Sequence, residues 1–240
     1  MSLVLGIFLL ILIVALLTLW FFLMPRTSGG ADLSLLKRNY AHRGLWDAKY
    51  PPSSLDAIML ASRLGYGVKI EVGAKRDRTL MVAGATPIPL STVLSTLDGA
   101  APLMIEIGGR KTSRRLCLSL AKMLDTYEGA FSIVSRDPKM LAWFKNYRPS
   151  FARGQVVSPR SDFATLYLFR NYLTRPDFLV VEPLARKNLS VLLLTKLFRL
   201  PCFLLGIDSI KDYRSCRRQG EFAVFEKIRP KDPPQKRRIL

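Results

Sequence analysis

The 240-residue sequence predicts an α/β architecture, a (β/α)8 TIM barrel preceded by one N-terminal transmembrane helix. Three observations lead to this prediction. The N-terminal segment is apolar and uncharged. The rest of the chain alternates strand signals with helix signals, as successive βα units do. Several strand signals are near-continuous apolar runs, which are typical of a parallel sheet covered on both faces.

Residues 2–24 predict a membrane-spanning helix, because they contain no charged residue and no proline. At about 1.5 Å per residue this segment reaches about 34 Å, and a hydrocarbon core is about 30 Å thick. A cleaved signal peptide is the alternative, but it would have a basic start, a shorter apolar stretch and small residues at its end. Here the start is uncharged and the far end is the bulky run LWFFLM. We therefore predict an uncleaved anchor.

All of the charge lies beyond this anchor, as 37 Lys and Arg against 18 Asp and Glu, a net charge of +19. Basic residues that flank a transmembrane helix tend to stay in the cytoplasm, and Arg26, Lys37 and Arg38 lie on its C-terminal side. We therefore expect a single-pass protein of the cell membrane with its N-terminus outside and its barrel in the cytoplasm. The three cysteines lack metal-ligand spacing, and free thiols agree with a reducing compartment.

Residues 25–38 are predicted to be a linker, residues 39–230 the barrel and residues 231–240 a basic tail. Eight strand signals lie at residues 39–44, 68–75, 102–108, 131–135, 154–158, 178–182, 202–207 and 222–226. The helix signals between them lie at residues 54–64, 90–97, 114–124, 138–147, 163–173, 191–198 and 211–219. A doubly wound open sheet is the alternative, but no glycine-rich phosphate loop follows the first strand.

Polar residues arrive at the ends of the first three strands, where such a barrel places its chemistry. His42, the only histidine of the sequence, ends the first strand. Lys69 and Glu71 alternate on the second strand, so both side chains point inward. Glu106 lies on the third strand. Because buried charges must be paired, a purely structural network, with Lys69 bonded to Glu71 beside His42, is the alternative to a functional site.

Two runs, YAHRGLWD (residues 40–47) and SLDAIMLASRLGYGVKIEV (residues 54–72), contain an HRG motif and a second strand that resemble those of a known family. That family is the glycerophosphodiester phosphodiesterases, and the resemblance is strongest to its membrane-anchored bacterial members. Weaker similarity continues through PLMIEI, RPSFARGQV, LTRPDFLVVE and FAVFEKIRP, as far as residue 230. The resemblance implies a TIM barrel that hydrolyses glycerophosphodiesters to glycerol 3-phosphate and an alcohol, with a divalent cation held by carboxylates.

The resemblance also implies roles for individual residues. His42 matches one of two acid–base histidines, and Arg43 matches an arginine that contacts phosphate. Glu71 and Glu106 match two carboxylate ligands of the metal. Lys69 falls on the position of a further carboxylate, and we predict that its charge replaces that of the metal in a phosphate site.

Other positions of the family pattern are lost in this sequence. The second histidine, part of an H-D pair, is expected near Gly84 and is absent. The P-E-N motif reads PPS at residues 51–53, and Gly108 replaces a lysine. The segment that members insert after the H-D pair is reduced to residues 86–89. Because a positioned acid–base group contributes about 10²–10⁴-fold, we predict a hydrolase that is inactive or strongly impaired.

The same losses bear on the cofactor. A divalent cation about 4 Å from a charged Lys69 would meet repulsion of about 8 kcal/mol at an effective dielectric constant of about 20. We therefore expect no cofactor, or Mg²⁺ or Ca²⁺ only if a vestigial site at Glu71 and Glu106 survives.

The expected partners are an anionic membrane surface and a glycerophosphodiester or another phosphate-bearing small molecule. Basic residues follow most of the predicted strands, namely Arg43, Lys75, Arg76, Arg110, Lys111, Arg136, Arg160, Arg186, Lys187 and Lys211. An active phosphodiesterase of phospholipid metabolism is the first alternative function. The second is a basic protein that binds nucleic acid or another polyanion, for which only the net charge speaks, since no nucleic-acid motif is found.

Overall fold

The computed structural model describes residues 2–26, 34–108, 114–161, 163–167 and 169–230. Within these residues the chain forms the strands β1 (Tyr40–His42), β2 (Gly67–Ala74), β3 (Leu80–Val82), β4 (Ile88–Pro89), β5 (Leu103–Ile107), β6 (Phe131–Ser135), β7 (Ala152–Val157), β8 (Phe178–Val181), β9 (Cys202–Ile207) and β10 (Phe222–Phe225). The helices are α1 (Ser2–Leu23), α2 (Leu55–Arg63), α3 (Leu90–Leu97), α4 (Arg114–Leu124), α5 (Pro138–Tyr147), α6 (Phe163–Leu166), α7 (Asn171–Thr174), α8 (Leu189–Lys196) and α9 (Ile210–Arg218).

Eight of the strands close a parallel barrel in the order β1-β2-β5-β6-β7-β8-β9-β10, because β1 pairs with both β2 and β10. This confirms the predicted TIM barrel and excludes the open sheet. Every predicted strand is present within two residues of its predicted bounds.

Two features differ from the prediction. The short strands β3 and β4 form an antiparallel extension of β2, which the sequence did not indicate because two or three residues show no periodicity. The helix predicted over residues 163–173 is two short helices, since α6 ends at Leu166 and α7 begins at Asn171.

The apolar residues form two layers on either side of the barrel wall. Alternate residues of β2, such as Val68 and Ile70, point outward and pack under the helices. The interior is filled by another set, which includes Tyr40, Phe178 and Phe203. Burying a side chain of this size contributes about 1.5–3 kcal/mol. The polar side chains described below lie against this packed apolar interior of the barrel.

The C-terminal end of α1 is fixed against the barrel. Asn171 Nδ2 donates to the carbonyl of Leu23 at 2.6 Å, and Arg175 Nη1 donates to the carbonyl of Phe21 at 2.9 Å. The ring of Tyr172 lies against that of Phe21. The last carbonyls of a helix have no partner within the helix, so the barrel itself caps α1.

The described parts of residues 25–38, predicted as a linker, also pack against the barrel. Arg26 forms an ion pair with Asp177 at 3.3 Å. A 3-10 turn at Ser34–Lys37 buries Leu35 and Leu36 in the interior layer. Residues 27–33 and the predicted basic tail, residues 231–240, lie outside the described residues.

The helix Leu3–Leu23 is long and apolar enough to cross a membrane, with a mean hydropathy of 3.0. A signal sequence near an N-terminus has the same length and composition. The bonds from Asn171 and Arg175 to the end of α1 are therefore the structural feature that bears on whether the helix is an anchor or a signal sequence.

Candidate functional site

The carboxyl ends of the barrel strands carry a group of charged side chains, here termed the mouth cluster. The mouth cluster consists of His42, Arg43, Lys69, Glu71, Glu106, Arg136, Glu182 and Glu226. The structure thus brings together the five site residues that the sequence predicted. It adds Glu182 and Glu226, together with Arg136, one of the basic residues expected after the strands. They meet because inward-pointing residues of neighbouring parallel strands end at the same edge of the barrel.

The most buried part of the cluster is an ion pair between Lys69 and Glu106. The side chain of Lys69 is 1% exposed and its Nζ donates to Glu106 Oε2. Arg136 donates from Nε to the other oxygen of Glu106 at 3.2 Å and from Nη1 to Glu182 at 2.8 Å. Burial would raise the pKa of Glu106, but the charges of Lys69 and Arg136 outweigh it and hold that pKa below its usual range.

The Lys69–Glu71 pair considered from the sequence does not form. Lys69 pairs in register with Met104, and its long side chain extends inside the barrel to Glu106, two residues further along the adjacent strand β5. Glu71 instead faces Arg43, whose Nη2 lies 3.8 Å from Glu71 Oε2. Both acids expected to bind metal are therefore next to protein cations.

Arg43 occupies a constrained position at the rim. Its backbone has φ = +62°, and its amide and carbonyl are bonded to Lys69 and Ser53 at 2.8 Å each. The following residue, Gly44, has φ = +82°, and a Cβ there would lie 2.6 Å from the backbone of Ala57. This tight turn holds the guanidinium at the mouth with its side chain 41% exposed.

His42 is neutral at physiological pH. Burial lowers the pKa of its imidazole to about 3, and the positive charges of Lys69, Arg43 and Arg136 act in the same direction. Its Nδ1 lies 3.4 Å from Glu226 Oε2. A neutral imidazole held beside a carboxylate is able to accept a proton, but it is not the imidazolium form that acts as a general acid.

The carboxylates of the mouth do not fit a divalent cation. Among the described residues there is no group of three or more His, Cys, Asp or Glu side chains that could hold a metal. Both oxygens of Glu106 accept bonds from cations, and Arg43 lies beside Glu71. Since Mg²⁺ and Ca²⁺ need several oxygen ligands, these residues are satisfied by protein cations instead.

Two of the positions that depart from the family pattern, Gly84 and Ser53, contact each other, and a third, Gly108, contacts Glu71. A Cβ on Gly84, near which the second histidine is expected, would lie 2.9 Å from Ser53 Cβ and 3.1 Å from the carbonyl of Pro52. A Cβ on Gly108 would lie 2.2 Å from Glu71 Oε1. The PPS segment thus closes the place of the missing histidine, and Glu71 fills the place of the missing lysine side chain.

The mouth cluster itself is not strongly basic. It holds four carboxylates against three cations, with His42 neutral. Of the other basic residues expected there, Arg186 is bonded to Glu221 at 2.7 Å, just before the start of β10 and so toward the opposite end of the barrel. Arg110 and Lys111 lie outside the described residues. The remainder are exposed, namely Lys75, Arg76, Arg160, Lys187 and Lys211.

Glu182 and Glu226 are site residues that sequence reasoning missed. Each directly follows an apolar strand, FLVV for Glu182 and FAVF for Glu226. The first polar residue after each barrel strand was the signal that would have identified both.

Comparison with known proteins places the fold. No family model matches the sequence, and no curated protein matches it. A glycerophosphodiester phosphodiesterase from Parabacteroides distasonis is similar with a TM-score of 0.66 at 14% identity, over 79% of this chain and 92% of that one. A phosphodiesterase from Oleispira antarctica, in complex with the product sn-glycerol-3-phosphate, has a TM-score of 0.64 at 16% identity, over 78% and 91%.

A more distant similarity is to a calcium-dependent phosphoinositol-specific phospholipase C from a Pseudomonas species. Its TM-score is 0.54 at 7% identity, over 82% of this chain and 92% of that one. The chain therefore has the fold of the glycerophosphodiester phosphodiesterases, which is the fold that its HRG motif implies.

Proposed function

We propose that the protein is a membrane-anchored member of the glycerophosphodiester phosphodiesterase family that binds a phosphate-bearing, headgroup-type ligand and is catalytically impaired. This proposal rests on one observation: the two carboxylates expected to bind a metal, Glu71 and Glu106, lie next to cationic side chains of the protein itself. With Lys69 and Arg136 on Glu106, a metal is not needed to neutralise Glu106. Binding in this site requires no divalent cation.

We assign binding of the ligand's phosphate group to Arg43. It matches the family arginine, its guanidinium is exposed at the rim, and its contact with Glu71 is longer than a hydrogen bond. Within the described chain, Arg43 Nε and Ser53 Oγ are buried without a hydrogen-bond partner. Lys69 is enclosed, so it contributes by neutralising Glu106 rather than by contact with the ligand.

The loss of activity rests on two features of the mouth. Acid–base hydrolysis with two groups needs one that accepts a proton and another that donates a proton to the leaving alcohol, and a neutral His42 is placed to act only as the acceptor at the start of the reaction. The segment that would carry a second histidine is closed against Ser53. One observation favours the alternative of an active hydrolase, namely the neutral His42 beside Glu226, which is a plausible general base.

The contacts of α1 support an uncleaved anchor. Cleavage after the apolar stretch would remove Leu23 and Phe21, whose carbonyls are bonded to Asn171 and Arg175. We place the barrel in the cytoplasm and the N-terminus outside. The basic residues after the helix support this orientation, as do the three cysteines, which are free and buried.

The binding proposal is tested with the full-length chain in detergent by titration with sn-glycerol 3-phosphate, using glycerol as the neutral control. We expect binding that persists in EDTA and is weakened about 10–100-fold by Arg43→Gln, the effect of losing a charged hydrogen bond of about 1.5–3 kcal/mol. Arg63→Gln, an exposed arginine of α2, removes the same charge elsewhere and should bind normally. Binding that required a divalent cation, or equal binding of glycerol, would contradict the proposal.

The impairment is tested separately by release of glycerol 3-phosphate from glycerophosphodiesters, with Mg²⁺, Ca²⁺ or EDTA. We expect no release above that of a His42→Ala variant. Release by the unmodified chain that His42→Ala abolishes would establish the active alternative instead.

A further inference from the structure

One side of the barrel exposes large apolar side chains. This surface, here termed the docking face, consists of Phe163, Phe169, Leu184, Leu189, Leu192 and Leu197. Phe163, Leu189 and Leu197 are about two-thirds exposed, at 67%, 67% and 68%. The rings of Phe163, Tyr167 and Phe169 contact one another at the surface. The side chain of Asn188 donates to the carbonyl of Leu166, which joins the start of α8 to α6.

The helix α8 shows that this exposure is not a general feature of the fold. Its counterpart α3, on the opposite side of the barrel, also has eight residues and begins with Leu-Ser. In α3 the leucines and Val93 are buried and Ser95 is exposed. In α8 the relation is partly inverted, because Ser190 is buried while Leu189 and Leu192 face outward. A helix that is apolar on both faces is typical of one that is covered on both.

The position of the docking face indicates what covers it. It adjoins α7, which holds the last turn of α1 through Asn171 and Arg175. The aromatic end of α1, with Trp20 and Phe21, belongs at the level where acyl chains meet headgroups. The amide of Arg170, just before α7, donates to the carbonyl of Ala164 in α6, and α6 is in turn bonded to the start of α8. The docking face therefore extends along the side of the barrel from the elements that hold α1.

The charge of this surface also fits a lipid surface. Residues 183–200 contain four Lys and Arg and no Asp or Glu. Lys196 and Arg199 are exposed beside Leu192 and Leu197. Leucine and aromatic side chains flanked by basic residues are the pattern of a surface that lies in a bilayer interface and contacts anionic headgroups.

We propose that the docking face lies in the interface of the membrane that α1 spans, so that the barrel rests on the bilayer in one fixed orientation instead of hanging from a flexible tether. The proposal depends on the uncleaved anchor of the proposed function. In this orientation the barrel lies on its side. The anchor joins it just before β8, at the end opposite the mouth, and the docking face extends from there toward the mouth, where Phe163 and Leu184 follow the carboxyl ends of β7 and β8.

The test uses spin labels on the full-length chain in vesicles that contain anionic lipid. Leu192→Cys and Leu197→Cys place a label on the docking face, and Ser95→Cys on α3 is the matched control. Native Cys117, Cys202 and Cys216 are buried, so a mild reagent labels the introduced thiol. Collision with oxygen, which concentrates in lipid, is compared with collision with a water-soluble nickel complex.

We expect the ratio of oxygen to nickel collisions to be severalfold higher at Leu192 and Leu197 than at Ser95. It should persist at high salt, because apolar insertion is not screened as surface charge is. Paired Leu192→Glu and Leu197→Glu substitutions should lower the ratio at a label placed at Leu189.

Nickel access at positions 192 and 197 equal to that at position 95 would overturn the proposal. So would low access to both reagents with spin–spin broadening that grows with the protein-to-lipid ratio, which would assign the face to a second copy of the chain. Extraction of the protein from the vesicles by alkaline carbonate would mean instead that the anchor itself is absent, which is a failure of the proposed function.

Discussion

The mouth cluster and the docking face both invert the usual distribution of side chains, but they do so in different ways. The mouth buries charge, and the docking face exposes leucine and phenylalanine. At the mouth the compensation is internal, since Lys69, Glu106 and Arg136 satisfy one another. At the docking face the described chain supplies no cover, so the compensation has to come from outside it.

Because of this difference, substitutions in the two regions should have different effects. Breaking a network that is satisfied within the chain lowers the free energy of unfolding, whatever surrounds the protein. A substitution on an exposed apolar face hardly changes the free energy of unfolding, and the substitution has an effect only when the partner that covers the face is present. Substitutions at the two regions should therefore differ most in the free energy of unfolding in detergent.

The largest effect is expected from breaking the buried pair. Glu106→Ala leaves the ammonium of Lys69 enclosed without its partner, and should lower the free energy of unfolding by about 3–5 kcal/mol. Urea unfolding of the full-length chain in detergent measures this. Lys69→Met combined with Glu106→Leu removes both charges and should recover most of the loss.

A matched control is the exposed pair of Arg148 and Asp125, which lie 2.7 Å apart. Asp125→Asn should cost less than about 1 kcal/mol, because solvent screens an exposed pair. If Glu106→Ala cost no more than Asp125→Asn, Lys69 would not depend on Glu106 and the internal compensation would be refuted.

The barrel itself was predictable from the sequence because its signals are local. Apolar runs such as FLVV and the helical periodicities between them indicate their elements without reference to distant residues. The break between Leu166 and Asn171 was not predictable, since α7 is positioned by its bonds to α1. The anchored end of α1 was missed for the same reason, because Asn171 lies about 150 residues away in sequence.

The candidate site was predictable by position but not by pairing. His42, Arg43, Lys69, Glu71 and Glu106 lie together as expected, because a strand end is a local feature. Their partners depend on how side chains reach across strands.

The lost family positions illustrate the same limit. In the sequence Gly84 and Ser53 are separate departures, whereas in the structure they are packed against each other. These two losses are therefore one structural event.

A smaller effect is expected from pH, acting through His42. The unfolded chain binds a proton at this imidazole below about pH 6.5, whereas the folded chain stays neutral until about pH 3. Stability should therefore fall as pH is lowered through this window, by at most about 1.4 kcal/mol per pH unit from this group. Unfolding of the unmodified chain and of His42→Gln from pH 7 to pH 4 should give profiles that diverge toward low pH. Parallel profiles would mean that the pKa of His42 is the same in the folded and the unfolded chain. A gain in stability of the unmodified chain over His42→Gln toward low pH would mean that His42 is protonated in the folded state, with Glu226 as its ion-pair partner.

The smallest effect on stability is expected at the docking face, and its smallness is what distinguishes this face from the mouth. Leu192→Gln should change the free energy of unfolding in detergent by less than about 0.5 kcal/mol, because an exposed side chain loses few contacts on truncation. Leu194→Gln, two residues away on the buried side of α8, should cost several-fold more, because it places an amide in the apolar layer under the helix. The pair is measured by urea unfolding alongside Glu106→Ala. A large loss from Leu192→Gln in detergent would show that Leu192 is packed within the chain, and the docking face would then be a structural surface of the barrel with no need of a bilayer to cover it.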